Sequence, residues 1–178
     1  MSITSVYEGR TTWMYKDIAG VVTCGIGHAL FSALDAMVIE WDQPKAQINA
    51  DWIAVHDAPT GHIASWYEPL TRSRLSSKVV EELLSADMIN VRTVIEIYFP
   101  DFNKFPSSAQ EAIQDMAFNL GPHFPKDWPK FAACVLRHDW NGAADECVRR
   151  GISEARNKAT QLLFQEAAIV SPSGSIYA

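Results

Sequence analysis

Along the chain, apolar and polar positions change period more than once. In the first eight residues Ile3, Val6 and Tyr7 fall on one side of a short helix. Trp13, Tyr15, Val21, Val22 and Thr23 favour strands, and Lys16-Asp17-Ile18-Ala19-Gly20 between them reads as a turn ending in glycine. A β-hairpin over residues 13–24 is the expectation. Gly25-Ile26-Gly27 follows, where the backbone needs freedom that a side chain would deny. Residues 41–69 are the least legible. They hold Trp41, Trp52 and Trp66, punctuated by Pro44, Pro59 and Pro69, and predict short elements and loops.

From Ser76 the period turns helical. Val80, Leu83, Leu84, Met88, Val91, Val94, Ile95 and Tyr98 recur at spacings of three and four. They predict a helix over residues 77–99 that stops before Pro100. Such a helix is well beyond the mean of about 11–12 residues. A second helix starts near Ser107, which has capping-box spacing to Gln110. Ala109, Ala112, Ile113, Met116 and Leu120 line one face, and Gly121-Pro122 ends it. Three shorter helices follow. Residues 128–138 would bury Phe131, Val135 and Leu136. Residues 141–150 would run from an Asn cap to Gly151. Residues 153–169 would bury Ala159, Leu162, Leu163 and Ala167. The fold class is therefore α+β and mainly helical: a small β-hairpin lobe, a long connecting helix and a helical C-terminal lobe. A ligand is expected in a cleft between the lobes.

Composition narrows this little. The chain has 178 residues, 48% hydrophobic and 20% charged, which fits one globular domain over 1–170 with a flexible tail at 171–178. A net charge of −6 argues against nucleic acid, whose phosphates need a basic face. Arg149, Arg150 and Arg156 fit either a local basic patch or a solvated helix face. Cys24, Cys134 and Cys147 are odd in number with no C-x-x-C pair, which reads as reduced thiols. The N-terminus lacks the basic start and apolar run of a signal peptide, and no apolar stretch is long enough to span a bilayer.

Glu8 precedes Asp17 by nine positions, and Asp17 precedes Thr23 by six. With Glu8 at a helix end and the others on the hairpin, all three can face one cleft. Glycoside hydrolysis requires two carboxyls, one protonated to give a proton to the leaving oxygen and one ionised to activate water. Spacing alone equally fits surface carboxylates beside a turn.

The surrounding residues add to this. Glu8-Gly9, Tyr15-Lys16-Asp17, Gly20 and Thr23-Cys24-Gly25-Ile26-Gly27-His28 closely resemble, in register and without a gap, the signature of phage-type lysozymes, glycoside hydrolase family 24. Residues 75–121, with Phe118-Asn119-Leu120-Gly121, are similar to that family's long helix and the helix after it. The stretch 140–144 is similar as well. Residues 29–74 are longer than the simplest members require and are expected to be an insertion. The resemblance implies a lysozyme-like two-lobed fold and a muramidase that cuts the bond between N-acetylmuramic acid and N-acetylglucosamine without a cofactor. Glu8 would be the general acid. Asp17 and Thr23 would hold the attacking water, in an inverting arrangement with carboxyls roughly 6.5–9.5 Å apart. His28 and Asp87 would form an ion pair tying the lobes together. Asn119, with Gly25 and Phe118, would meet substrate. Asn119 fits equally a helix C-terminal position.

The implied partner is peptidoglycan, met by a monomer with neither nucleic acid nor membrane as a ligand. The place of action would be the periplasm or cell wall, reached through a holin or by a secretion system. In the second case, that of an interbacterial toxin, an immunity protein would be a further partner. A chitinase, a lytic transglycosylase or a peptidoglycan-binding module without activity are the alternatives. Several other signals are weak. Gly25-x-Gly27 lacks the third glycine of a nucleotide loop. His56, Asp57 and His62 lack metal-ligand spacing. Trp41, Trp52 and Trp66 fit core packing better than sugar stacking. Cys24 has no evident His partner and reads as a small buried apolar residue.

Overall fold

A computed structural model describes residues 9–171. The helix expected over the first eight residues, including Glu8, lies outside the described residues, as does the tail from Pro172 onward. The described chain is α+β and mainly helical, with eight α-helices and one three-stranded antiparallel sheet. It forms two compact units, residues 9–87 and 88–171, each with its own apolar core.

The first unit holds the sheet. Strand β1 (Thr11–Lys16) pairs with β2 (Val22–Gly25), and β2 pairs with β3 (His28–Ala29). Tyr15 lies opposite Thr23 and Lys16 opposite Val22, with an irregularity between Thr11 and Tyr15. The hairpin is thus where the strand-forming residues place it. Met14, Val22, Cys24 and Ile26 point into a core closed by Leu30, Trp41, Val55, Tyr67 and Val80.

Residues 41–69 hold short elements and loops, as expected, apart from one long helix. Helix α1 (Ala33–Met37) carries a capping box between Ser32 and Asp35. Helix α2 (Lys45–Asp57) runs for 13 residues, and α3 (Ala64–Tyr67) is a single turn. The long one was obscured because its inward face is Ile48, Asp51 and Val55. An aspartate sits where the helical period demands an apolar residue, while Ile53 points outward. The Asp51 carboxylate is buried and accepts hydrogen bonds from Gln47 Nε2 (2.7 Å) and from the backbone N–H groups of Arg72 (2.9 Å) and Ser73 (2.7 Å). Burial pushes its pKa up, but these bonds outweigh burial and hold it below the ordinary value. Trp41 is buried and donates to Ala36 O, which agrees with core packing.

The helix α4 (Ser77–Tyr98) has 22 residues and stops within a residue of the expected end. The boundary between the two units falls inside it, between Asp87 and Met88.

The second unit is helical: α5 (Ser107–Leu120), α6 (Pro129–Leu136), α7 (Trp140–Glu146) and α8 (Glu154–Val170). Several details correct the sequence reading. Pro106, not Ser107, is the N-cap of α5, and Gln110 donates instead to Phe105 O at 2.9 Å. The cap of α7 is Asp139, whose Oδ1 accepts from Gly142 N at 2.9 Å, so that helix does not start at Asn141. It also ends at Glu146, short of Arg150. In α6 the buried side is Phe131, Cys134 and Val135, with Leu136 exposed. In α8 the inward side is Arg156, Asn157, Thr160, Phe164 and Ala167, while Leu162 is exposed.

That polar face of α8 explains the arginines. Arg149 and Arg156 form neither a basic patch nor a solvated face, because both are buried against Asp115 of α5. Arg149 Nη1 donates to Asp115 Oδ2 at 2.9 Å, and Arg156 Nη2 donates to Asp115 Oδ1 at 2.7 Å. Arg149 also donates to Thr160 Oγ1 (2.7 Å) and Asn157 Oδ1 (3.3 Å), and Asn157 Nδ2 returns a bond to Arg149 O. Burial raises the Asp115 pKa, but Arg156 and then Arg149 outweigh burial and hold the carboxyl below its usual value. Arg150 is exposed.

Candidate functional site

The hairpin is the element that positions the candidate residues. Asp17 opens its turn. Asp17 Oδ1 accepts from the N–H groups of Ala19 (2.9 Å) and Val21 (2.8 Å), and the Asp17 N–H donates to Val21 O at 3.0 Å. An aspartate side chain that caps its own turn in this way fixes the path of the chain. Asp17 Oδ2 has no hydrogen-bond partner among the described residues. Gly20 completes the turn at φ +82°, and a Cβ there would stand 3.2 Å from Thr60 Cγ2. Lys16 is buried and its Nζ donates to Ala58 O at 2.6 Å. The hairpin is therefore tied to Ala58 through Lys16 and passes close to Thr60 at Gly20.

Thr23 lies on the central strand, opposite Tyr15 on one side and Ala29 on the other. It is buried, and Thr23 Oγ1 donates to Val21 O at 3.0 Å. The hydroxyl's proton is thereby committed, and its lone pairs are what remains to accept a bond. Gly25 ends β2 at φ +62°. A Cβ there would meet Val80 and Leu83 at 3.8–3.9 Å, which is ordinary contact, so the left-handed backbone and not crowding requires glycine. Thr11 Oγ1 donates to Gly25 O at 3.2 Å and fixes that carbonyl.

His28 Nδ1 donates to Asp87 Oδ2 at 2.8 Å, joining β3 to α4. Both residues belong to the first unit, so the pair ties a strand to a helix within that unit and not one lobe to the other. Asp87 also acts on Cys24. Burial first, and then the Asp87 charge, pushes that thiol up to about 12. Cys24 is fully buried and unreactive as a thiolate. Cys134 and Cys147 are also buried and free. Burial raises both thiols, that of Cys147 to about 11.

Phe118 and Asn119 lie near the end of α5 in the second unit. Phe118 is half-buried and packs on that unit's core. Asn119 Oδ1 is buried with no hydrogen-bond partner among the described residues, a costly position for an amide oxygen. The structure thus brings Asp17, Thr23 and Gly25 onto one hairpin and His28 onto Asp87, and it places Phe118 and Asn119 in the other unit. Glu8 lies outside the described residues.

His56 pairs with Asp57 and stacks on Trp52, while His62 stacks on Trp66 at 4.0 Å. Among the described residues no group of three or more His, Cys, Asp or Glu side chains is placed to hold a metal ion. The sequence reading missed the buried Lys16 and the commitment of Asp17 Oδ1 to its own turn. The x-Asp-x-x-Gly spacing of residues 16–20 is the signal that pointed to the latter. No protein-family model matches the chain, and no curated protein matches it.

Proposed function

We propose that this chain is a muramidase with a lysozyme-like fold, hydrolysing the β-1,4 bond between N-acetylmuramic acid and N-acetylglucosamine in bacterial peptidoglycan. The observation that carries the reading is the 8–28 segment, taken with the local structure of residues 11–28. The signature residues occupy special positions there: Asp17 caps the turn, Thr23 sits on the central strand, Gly25 takes the left-handed backbone, and His28 is bound to Asp87.

In this reading Glu8 donates a proton to the leaving glycosidic oxygen. Asp17 Oδ2 and the Thr23 lone pairs accept hydrogen bonds from the attacking water, and the reaction inverts the anomeric centre. Asn119 is the residue that the resemblance assigns to an N-acetyl group or sugar hydroxyl of the substrate. The enzyme acts on the wall from the periplasmic side and uses no cofactor.

Purified peptidoglycan digested with wild type, Glu8→Gln and Asp17→Asn, followed by mass spectrometry of the fragments, tests this. Wild type releases fragments with reducing muramic acid, and Glu8→Gln is slowed about 10²–10⁴-fold. Digestion by Glu8→Gln at the wild-type rate overturns the mechanism. Asparagine keeps the turn-capping oxygen of Asp17 and removes only the charge, so that variant separates water activation from turn geometry. One observation favours a second reading. Asp17 Oδ1 is already committed to the turn, which suits a lytic transglycosylase that activates no water. Fragments ending in anhydromuramic acid, with Asp17→Asn fully active, identify that outcome.

A further inference from the structure

A groove of about 580 Å³ opens in the first unit beside α1. Its apolar wall is Val38, Ile39, Val79 and Leu83. Its charged lining is Asp35, Glu40 and Glu82, with His28 already bound to Asp87, and among the described residues no lysine or arginine lines it. Glu40 is exposed and has no ion-pair partner among the described residues. Glu82 has only an exposed contact with Lys78 at 3.5 Å, a pair worth little in water. Next to the groove, Phe31, Leu34 and Val38 are 79%, 69% and 83% exposed. Leu34 lies in the first turn of α1, Val38 is its C-cap, and Phe31 precedes the N-cap Ser32. Large exposed apolar side chains gathered beside an apolar groove mark a contact surface more often than a bare monomer face.

We propose that this face is a docking surface for an amphipathic helix of a partner protein, with apolar anchors flanked by lysine or arginine. Charge selects the occupant. A second copy would set carboxylate against carboxylate between two chains each of net charge −6. An anionic membrane surface would meet the same repulsion. A basic partner instead pairs its cations with Asp35, Glu40 and Glu82 while its apolar side chains cover Leu34 and Val38. The surface does not depend on wall hydrolysis, and none of the residues substituted below is Glu8, Asp17 or Thr23.

The test uses the full chain and two short labelled peptides with the same amphipathic helical pattern, one of leucine and lysine and one of leucine and glutamate. Fluorescence anisotropy reads binding. The lysine peptide binds and the glutamate peptide does not. Leu34→Asp with Val38→Asp weakens binding at least about tenfold. Glu40→Lys with Glu82→Lys transfers the preference to the glutamate peptide. Ile97→Asp, at an exposed apolar position of the second unit, leaves binding unchanged. Equal binding of both peptides, full binding by the Leu34/Val38 variant, or equal loss in Ile97→Asp overturns the proposal. Sedimentation velocity is the second measurement: a dimer abolished by Leu34→Asp with Val38→Asp would assign the surface to self-association and overturn the basic partner.

Discussion

Each of the two units buries an aspartate, and the two solve the same problem in opposite ways. Asp51 in the first unit is satisfied by neutral donors: one amide side chain and two backbone N–H groups from a loop more than twenty residues away. Asp115 in the second unit is satisfied by two guanidinium groups, with Thr160 Oγ1 at 3.2 Å. A carboxylate taken from water needs compensation in either case. With backbone donors the carboxylate becomes a clamp on chain path. With arginines it becomes one corner of a charge cluster, in which every member depends on the others. The difference teaches where each unit is fragile: the first at a loop, the second at a charge.

Removing the acid in each unit is the most severe way to break the comparison. Asp115→Ala removes the carboxylate shared by two buried guanidinium groups and is expected to cost about 3–5 kcal/mol in urea unfolding. An Asp115→Ala chain as stable as wild type would show that the arginines can turn outward. Asp51→Ala leaves two N–H groups and a glutamine amide without their acceptor, with an expected loss of about 1–3 kcal/mol. Asp51→Asn keeps one acceptor oxygen and falls between. Asp17 extends the series to a half-buried turn. Asp17→Ala is expected to lose about 0.5–1.5 kcal/mol, and Asp17→Asn less.

Acid titration gives the finest contrast. Both buried carboxyls are held below the ordinary aspartate value of 3.8 in the folded chain. The unfolded chain therefore binds protons first as pH falls. The stabilisation is complete above about pH 3.8 and is lost as pH drops from there through the folded values. Thermal melts across this range should fall more shallowly in Asp51→Asn than in wild type. Parallel slopes would show that Asp51 has no part in acid unfolding.

The same contrast marks what could be read in the sequence. The helix 77–98 was legible to within a residue because its buried positions, Val79, Val80, Val91 and Ile95, are all aliphatic. The hairpin was legible from its strand-forming residues and the turn at Asp17. Helix 45–57 was not, because its inward position Asp51 is charged and its satisfaction comes from a loop distant in sequence. Arg149 and Arg156 misled for the same reason: a charge looks solvated until the partner that buries it is known. Of the site, the pairing of His28 with Asp87 came from the family resemblance, whereas the buried, hydrogen-bonded hydroxyl of Thr23 and the self-capping of Asp17 came only with three-dimensional structure.

The three cysteines turn the two units into separately readable objects. Cys24 is sealed in the first core and Cys147 in the second, with Cys134 at the second core's edge. A thiol that is buried with its pKa raised reacts with an alkylating reagent only when its surroundings open. The chain therefore carries its own clocks, one for each half. The time course of modification at Cys24 against that at Cys134 and Cys147 tells whether the halves open together or one before the other, with no label to introduce.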